Sequence, residues 1–304
     1  MESLLSLAFA LITAPLFPGI ILKVKAMFAG KKGPPLLIKY FILAKLFRKG
    51  SVYSTSTSFV FRFGPVISCA AALMALLFFP FAGIPPVIAF PGDVLVLFYV
   101  FAVGRFFTVA AALDTASPFE GMGAAREVFF ATLAEATIFV TLIFFYRLGG
   151  SISLAGYFTG DAAISIANSY GALLVLVVVA MFMILLTENS RVPVDDPATH
   201  LELTMIHEVM ILDHSGIDLA LIEFGAFCKL LFYASFVACL IKPWTFTTPA
   251  ANILLFYTLV AVVYAAVGIV ESATARLKMN LVPKFILTAF ALVFFAIILT
   301  MELV

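Results

Sequence analysis

Charge is scarce in this sequence. Of its 304 residues, 12% are charged and 64% are hydrophobic, whereas a water-soluble chain is about 25% charged and about 45–50% apolar. Both departures exclude an ordinary soluble domain and favour a membrane protein. The net charge of +1 says nothing by itself about partners, and we expect no nucleic acid among them.

Cysteine is scarce as well. The three cysteines, Cys69, Cys228 and Cys239, lie in apolar runs without a CxxC pair. They cannot supply the ligands of an iron–sulfur cluster or a zinc site, and an odd number excludes a fully paired disulfide framework. We therefore expect this chain to bind no cofactor or metal of its own.

Long hydrophobic runs are abundant. A bilayer core requires roughly 20 apolar residues per helix. Eight runs approach or meet that length, the fifth being slightly short: approximately 3–22, 64–83, 93–113, 124–146, 170–187, 217–241, 251–270 and 283–303. The sequence therefore predicts an all-α fold, a polytopic helical bundle of about eight transmembrane helices that forms a single membrane domain over residues 1–304.

Lysine and arginine are distributed unequally between the connections. The side opposite the basic connections has only Arg147 and Lys242. The first, third, fifth and seventh connections hold Lys23, Lys25, Lys31, Lys32, Lys39, Lys45, Arg48, Lys49, Arg62, Arg126, Arg191, Arg276, Lys278 and Lys284. The positive-inside rule then predicts that these connections are cytoplasmic, and that both termini lie outside a cell inner membrane.

The first of these connections, residues 23–62, contains a further helical pattern after Pro34-Pro35. At 100° per residue its basic groups occupy about half the circumference. The alternating apolar and basic residues are Leu36, Leu37, Lys39, Phe41, Leu43, Lys45, Phe47, Arg48 and Lys49. This pattern predicts an interfacial amphipathic helix, which acts either as a positive-inside anchor or as a lid over a cavity.

Several charged residues fall inside the predicted spans or at their ends. Arg105 lies in the third span and Glu135 in the fourth, Glu223 and Lys229 lie in the sixth, and Glu127 and Glu271 lie near cytoplasmic helix ends. In one interpretation the basic residues only neutralise Glu135 and Glu223 between packed helices. In the other, the six residues form a line of titratable groups through which protons move. Either interpretation excludes a position that faces lipid.

The fifth connection, residues 188–216, gathers six carboxylates and all three histidines. Asp196-Pro197 is typical of a helix start, and Leu201, Met205, Val209 and Leu212 follow at helical spacing. This predicts an amphipathic cytoplasmic helix of about four turns. His200 and His207 would be about 10 Å apart along its axis, which is too far for one metal ion. Solvated surface histidines are favoured over a pH-sensitive or hydrogen-bonding role.

The acids of this connection predict a negative patch at the membrane surface. The patch would serve as a docking surface for a protein or as the mouth of a proton-conducting funnel. Its members, with one arginine among them, are Glu188, Arg191, Asp195, Asp196, Glu202, Glu208 and Asp213.

These residues also carry a family resemblance. The stretch ENSRVPVDDP…HLEL resembles the E-x-x-R-x-P-x-D-x-P…E-L signature of the membrane subunit that forms the quinone chamber of respiratory complex I. The matching positions are Glu188, Arg191, Pro193, Asp195, Pro197, Glu202 and Leu203. Four further stretches are similar to other parts of the family: DHSG at 213–216, Glu223-Phe224, GRFFTVAAALDTASPFEGMGAAREVFF and ESATARLKMNLVP. The chain looks most like its formate hydrogenlyase and energy-converting NiFe hydrogenase branch.

The resemblance implies a non-catalytic membrane anchor and ion-coupling subunit of an oxidoreductase complex. The NiFe centre and the iron–sulfur clusters would belong to large and small hydrophilic subunits docked on the cytoplasmic face. Antiporter-like membrane subunits would continue a proton or sodium path within the lipid bilayer. The alternative within the family is a quinone-chamber subunit of a complex I-like quinone oxidoreductase.

The sequence departs from the family pattern at three places. Gly33-Pro34-Pro35 replaces a Gly-Pro-Asn run, and Ile38, Lys39 and Ile42 stand where relatives often have acids and a glutamine. Both departures speak against a bound quinone. Glu135-Ala136 replaces Glu-Pro, which removes a kink and keeps the acid.

Two other classes of protein receive little support. A secondary transporter would normally show internal repeats with broken helices at matching positions, and no convincing repeat is present. A stand-alone intramembrane enzyme would need convergent catalytic groups, and no nucleophile pattern accompanies the acids and histidines.

Overall fold

The structure is a computed structural model that describes residues 2–159, 164–166, 170–196, 205–242 and 248–303. Within these residues the chain is helical, with no strand. The α-helices are Glu2–Thr13 (α1), Pro18–Phe28 (α2), Ile38–Phe47 (α3), Phe59–Leu77 (α4), Asp93–Asp114 (α5), Pro118–Gly149 (α6), Leu154–Phe158 (α7), Gly171–Glu188 (α8), His207–Met210 (α9), Gly216–Ile241 (α10), Pro249–Ala273 (α11) and Val282–Leu303 (α12).

Eight segments of the described chain are long and apolar enough to cross a membrane. They are Glu2–Phe28, Phe59–Gly83, Asp93–Asp114, Pro118–Gly149, Gly171–Glu188, Gly216–Ile241, Pro249–Ala273 and Val282–Met301. The predicted bundle of eight membrane-spanning helices is therefore confirmed, in the predicted order along the chain.

The first span is broken in the middle, where the sequence predicts one continuous helix. Helix α1 ends at Thr13 and α2 begins at Pro18. Proline has no N–H for the helical hydrogen-bond ladder and is well suited to the first turn of a helix, so Pro15 and Pro18 account for the break. Next to it, Gly19 lies so close to Leu36 that an added Cβ would be 2.3 Å from the Leu36 carbonyl oxygen.

Helix α6 is longer than the apolar run that predicted it. Its 32 residues extend about 48 Å at 1.5 Å per residue, whereas the bilayer core is about 30 Å thick. Pro118 starts the helix well before the run becomes apolar, so the first turns extend past the hydrophobic core. These turns support the segment that precedes α10, since a Cβ on Gly123 would lie 2.2 Å from Cγ1 of Val209.

Helix α10 occupies the centre of the bundle and is the most buried of the eight spans. Its Phe232 ring makes edge contacts with Phe79 at 5.4 Å and with Phe101 at 5.2 Å between centroids. Such contacts fix ring orientation as well as burying apolar area. They hold α10 against α5 and against the segment that follows α4, and so set the positions of the charged residues on these helices.

The predicted helix in the first connection is present as α3. Its bases do not all point away from the protein, because Lys39 is turned toward Glu223 of α10. The cytoplasmic and interfacial placement of this helix stays a prediction.

The predicted four-turn helix of the fifth connection is not found in the described residues. Between residue 205 and the start of α10, the described chain is helical only in α9, His207–Met210. Residues 197–204, including His200 and Glu202, lie outside the described part of the chain. The side chain of Asp195 accepts hydrogen bonds from the N–H groups of Ile206 and His207, both at 3.1 Å. A distant carboxylate thus caps the start of a short helix, an interaction that a local pattern does not reveal.

Candidate functional site

Arg105 is the centre of a charged cluster between α5, α6 and α8. Its Nη1 lies 2.5 Å from Oε1 of Glu135, and its Nη2 lies 2.7 Å from Oε2 of Glu188. Its Nε is 3.9 Å from Glu127. Three carboxylates from two other helices therefore surround one guanidinium.

Glu188, at the end of α8, is the most buried of these acids, with 2% of its side chain exposed. It accepts from Arg105 and lies 2.9 Å from Nζ of Lys229 on α10. A buried carboxylate is unfavourable unless it is paired and hydrogen-bonded, and here two cations supply that compensation. Glu188 thus joins α5, α8 and α10 through charge.

A second cluster surrounds Glu271 near the end of α11. Its side chain is 1% exposed and its two oxygens bind different cations. Lys25 of α2 lies 2.9 Å from Oε2, and Arg191 lies 3.4 Å from Oε1. This carboxylate ties the first span to the seventh and to the start of the 188–216 connection.

A third pair joins α3 to α10. Nζ of Lys39 is 3.5 Å from Oε2 of Glu223 and 5.2 Å from the centre of the Phe227 ring. Both side chains of the ion pair are about one quarter exposed, so solvent weakens their attraction.

The three clusters open onto one cavity of about 320 Å³. Its wall contains as many acidic as basic side chains, so the formal charges of the wall cancel. The charged residues are Glu127, Glu188, Glu208, Glu223 and Glu271 with Lys25, Lys39, Arg105, Arg191 and Lys229. His207 also lines it, and Phe101, Ile21 and Leu230 are among the apolar contributors. Such a lining suits water or a polar guest, since buried polar sites of this size hold hydrogen-bonded water.

Glu135 lies apart from the cavity wall. It is in the middle of α6, and 39% of its side chain is exposed in this chain. A charge at bilayer depth is costly when it faces lipid. Arg105 connects this outer carboxylate to Glu188 on the cavity side.

In one interpretation of the sequence, Arg105 and Lys229 only neutralise Glu135 and Glu223, and the observed contacts match this interpretation only in part. Arg105 does pair with Glu135. Lys229, however, binds Glu188 and not Glu223. Glu223 pairs with Lys39 of α3. Helix periodicity places residues on a face, but it does not tell which neighbouring helix supplies the partner.

The predicted negative surface patch is not a single surface. Glu188 and Asp195 are buried, and the carboxylate of Asp195 lies 2.9 Å from Arg276. Arg191 is turned to Glu271. Asp196 and Glu208 are half-buried and Asp213 is exposed, whereas Glu202 lies outside the described residues. Cations from distant parts of the chain draw the first acids inward, so this prediction is wrong for Glu188 and Asp195.

Sequence reasoning missed Lys25 and Lys39 as parts of the site. A usable signal exists, because residues 23–62 contain no acid at all. A lysine of this segment that is turned inward must therefore pair with an acid of another span, and Glu271 lies at the predicted cytoplasmic end of its own span, as Lys25 does.

His214 is also absent from the predicted site and is not a surface residue. It is 6% exposed and stacks on Phe61 with ring centroids 4.0 Å apart. Burial lowers the pKa of His214 to about 4, although Asp218 and Asp213 act in the opposite direction. The ring is therefore neutral at physiological pH and serves as a packing group beside the short α9 region.

No group of three metal-ligating side chains was found among the described residues. The three cysteines are buried and unpaired with one another.

Fold and site together define a class: a multi-pass membrane protein with a charged internal cavity. The model of the NADH dehydrogenase family matches residues 1–301. The chain therefore belongs to this family, which confirms the resemblance to the quinone-chamber subunit of complex I.

Two relatives from Escherichia coli (strain K12) agree with that assignment. The chain is 28% identical to formate hydrogenlyase subunit 4 over 94% of this chain and 93% of the relative. It is 30% identical to hydrogenase-4 component C over 77% of this chain and 72% of the relative. The resemblance to the hydrogenase branch is thus confirmed, and the chain is a membrane subunit of the complex I-like class.

A solved structure shows the same fold. A chain of the membrane-bound sulfane sulfur reductase, an archaeal respiratory membrane complex, matches with a TM-score of 0.81. The match covers 97% of this chain and 98% of that chain at 19% identity. At this identity the likeness concerns the fold alone.

Proposed function

We propose that this chain is the non-catalytic membrane anchor and ion-coupling subunit of an energy-converting, membrane-bound NiFe hydrogenase or formate hydrogenlyase-type complex. In this role it links electron transfer in docked hydrophilic subunits to translocation of protons, or of sodium ions. The names of its two bacterial relatives support the type of complex.

The observation that carries the proposal is the chain of contacts from the cavity to the outer face of α6. Glu188 lines the cavity and binds Arg105, and Arg105 binds Glu135. Each link is 2.7 Å or shorter. A change of charge at Glu188 therefore alters the electrostatic interaction of Arg105 with Glu135. Arg105 is the single side chain between the two acids, and the attraction between charges is strong where water is scarce.

Proton uptake by Glu188 would remove the negative charge shared by Arg105 and Lys229. Arg105 would then bind the remaining carboxylates, Glu135 and Glu127, more strongly. Uptake of a proton at the cavity thus shifts the compensating charge of Arg105 toward the outer face of α6, and loss of that proton shifts it back, which is the displacement of charge that coupling requires. Glu223 and Glu271, paired with lysines on the cavity wall, extend the set of exchangeable groups toward the first span.

The exposed flank of Glu135 fits a second membrane chain. An antiporter-like subunit that covers α6 at this depth would shield the carboxylate from lipid and receive the ion. The hydrophilic large and small subunits, which would hold the NiFe centre and the iron–sulfur clusters, would dock at the 188–216 connection. There Asp195 and His207 connect the short helix α9 to the cavity wall.

The test replaces carboxylates in the intact complex. In Glu135→Gln and Glu223→Gln variants, we expect loss of ion translocation in sealed vesicles while hydrogen oxidation with a soluble dye stays at the parental rate. Glu2→Gln, which changes an exposed carboxylate remote from the cavity, is the matched control. Parental coupling in both variants would remove these residues from the mechanism.

One feature supports the quinone-chamber alternative: the cavity volume of about 320 Å³ lies within the usual range of small-molecule pockets. The two functions separate in one measurement. A quinone-reducing complex requires added quinone for turnover by the physiological donor, whereas a hydrogen-evolving complex turns over in its absence.

A further inference from the structure

Residues 23–62 contain nine lysines and arginines and no acidic residue. Two of these cations turn inward and bind acids of other helices: Lys25 binds Glu271 and Lys39 binds Glu223. At the end of α3, by contrast, Lys45, Arg48 and Lys49 are exposed. None of these three takes part in an ion pair within the described residues, so their positive charge is not compensated by any acid of that part of the chain.

The exposed side of α3 changes in character along the helix. Just before α3 and in its first turn the exposed side chains are apolar: Leu37 is 50% exposed and Phe41 is 62% exposed. Near its end three basic side chains, Lys45, Arg48 and the following Lys49, are exposed beside Phe47, which is 48% exposed. The exposed basic groups of α3 are therefore concentrated at its end, whereas Lys39 in its first turn is turned inward to Glu223, so the basic groups do not share one exposed face as the sequence pattern predicts.

The start of α3 is fixed to the interior of the first span. The Leu36 carbonyl packs on Gly19, and the Tyr40 hydroxyl donates to the backbone oxygen of Ile12. Ile12 and Gly19 both lie well inside Glu2–Phe28. The apolar end of α3 is therefore held at a depth occupied by lipid acyl chains.

The end of α3 is fixed to the beginning of the sixth span. An added Cβ on Gly216, the first residue of α10, would lie 2.4 Å from the Gly50 carbonyl oxygen. The Ser51 hydroxyl donates to the backbone oxygen of Ser215 at 3.2 Å. The basic end is therefore held where a membrane-spanning helix starts, the level at which lipid phosphate groups are found.

We propose that Lys45, Arg48 and Lys49 form a binding site for the phosphate of an anionic phospholipid, with Leu37 and Phe41 against its acyl chains. The negative end of the α3 dipole favours cations at this end of the helix, where Lys45 lies in the last turn and Arg48 and Lys49 follow it. The arginine can hold two phosphate oxygens at once, and the lysines act as point charges. Long basic side chains lie along apolar surface while their charged ends reach the headgroup layer.

The test uses the complete complex in lipid nanodiscs. A Lys45→Gln/Lys49→Gln variant is compared with Lys278→Gln/Lys284→Gln, which removes the same charge from two other exposed lysines. Phospholipid that remains bound after dilution into detergent is quantified by mass spectrometry, with phosphatidylglycerol and phosphatidylcholine offered as competitors. Each lysine near an anionic surface contributes about a fivefold change in affinity, so we expect about a 25-fold loss of phosphatidylglycerol affinity in the first variant alone.

Further measurements separate the lipid from other anions. High salt should weaken phosphatidylglycerol binding to the parent, because exposed charges are screened, and inorganic phosphate should compete only weakly, since it lacks acyl chains. A single Arg48→Gln variant gives the same comparison if the double variant folds poorly. Equal phosphatidylglycerol affinity in the Lys45→Gln/Lys49→Gln variant and the parent would overturn the proposal. So would unchanged lipid binding with loss of a partner subunit, because the basic end would then dock an acidic protein.

Discussion

Arg105 and Glu188 are bound through both carboxylate oxygens: Nη2 of the arginine lies 3.0 Å from Oε1 and 2.7 Å from Oε2. The two residues are 83 positions apart in the sequence and belong to α5 and α8. Arg105 also binds Glu135 of α6, so this one guanidinium compensates the charge of carboxylates on two different helices, α6 and α8. Its removal should therefore have a larger effect than the loss of an ordinary ion pair.

Replacement of Arg105 by Met should destabilise the chain by about 3–5 kcal/mol, the usual effect of removing one partner of a buried ion pair. Glu188 would keep Lys229, but Glu135 and Glu127 would lose their cation. Thermal unfolding in detergent measures the effect. Arg105→Lys keeps the charge and should lose less. If Arg105→Met unfolds at the parental temperature, the contacts of Arg105 contribute nothing to stability.

The pairing at Glu271 predicts a partial rescue. Glu271→Gln leaves Lys25 and Arg191 facing a neutral amide, 2.9 Å and 3.4 Å from the former carboxylate oxygens. The single variant should be less stable than the Glu271→Gln/Lys25→Gln double variant, because the second change removes an uncompensated charge.

A double-mutant cycle of unfolding free energies gives the coupling between the two positions. A coupling of about 0.5–3 kcal/mol is expected for residues in direct contact. Strict additivity would mean that Lys25 and Glu271 do not interact in the folded chain. Lys23→Gln, also in α2 but without a described ion pair, serves as the control.

The spans were predictable from the sequence because a bilayer core demands about 20 apolar residues of any helix that crosses it. That requirement concerns each helix by itself, so each span can be predicted from its own stretch of sequence. The break between α1 and α2 could also be expected from Pro15 and Pro18, and the longer course of α6 from Pro118. These features depend on backbone chemistry within a few residues.

The charged site was predictable only in composition. Six of its residues could be named because they are charged and lie inside a predicted span or at its end. Their partners could not be named, since ion-paired residues such as Arg191 and Glu271 are 80 positions apart. Asp195 looks like part of an acidic surface in sequence, yet in space it neutralises Arg276 and caps α9. Burial of an acid depends on a cation supplied by another helix, and no local pattern contains that information.

The close approach of Gly50 to Gly216 gives a sharp test of the α3 position. Gly216 has φ +54°, a region that disfavours a side chain by about 1–2 kcal/mol, and a Cβ there would meet the Gly50 carbonyl. Gly216→Ala should therefore cost both strain and displacement of the segment after α3. Gly30→Ala is the matched control, because Gly30 has φ +66° with nothing within 4 Å of its Cβ position.

Unfolding free energies of the two variants separate the two effects. Gly30→Ala should lose only the backbone strain, and Gly216→Ala should lose more. Equal losses would mean that the segment after α3 moves away freely, and the fixed position of the basic end of α3 would then be wrong.

The buried imidazole of His214 predicts a specific pH dependence. Its pKa is lowered from 6.5 to about 4 in the folded chain because burial disfavours the charged ring. Below pH 6.5 the unfolded chain therefore binds a proton that the folded chain does not. Stability attributable to His214 is complete above pH 6.5, falls as the pH drops toward 4, and changes no further below that value.

Replacement of His214 by Phe keeps a ring against Phe61 and removes the titration. The stability of the parent minus that of the variant should therefore decrease as the pH falls from 6.5 to 4, with a slope approaching about 1.4 kcal/mol per pH unit. Urea unfolding of detergent-solubilised protein at several pH values gives this difference. The carboxylates of the chain are the same in both proteins, so their contribution to the pH dependence cancels in this difference. Parallel stability curves would show that His214 is protonated as readily in the folded chain as in the unfolded one, so its ring would have to be open to water and not stacked in the interior.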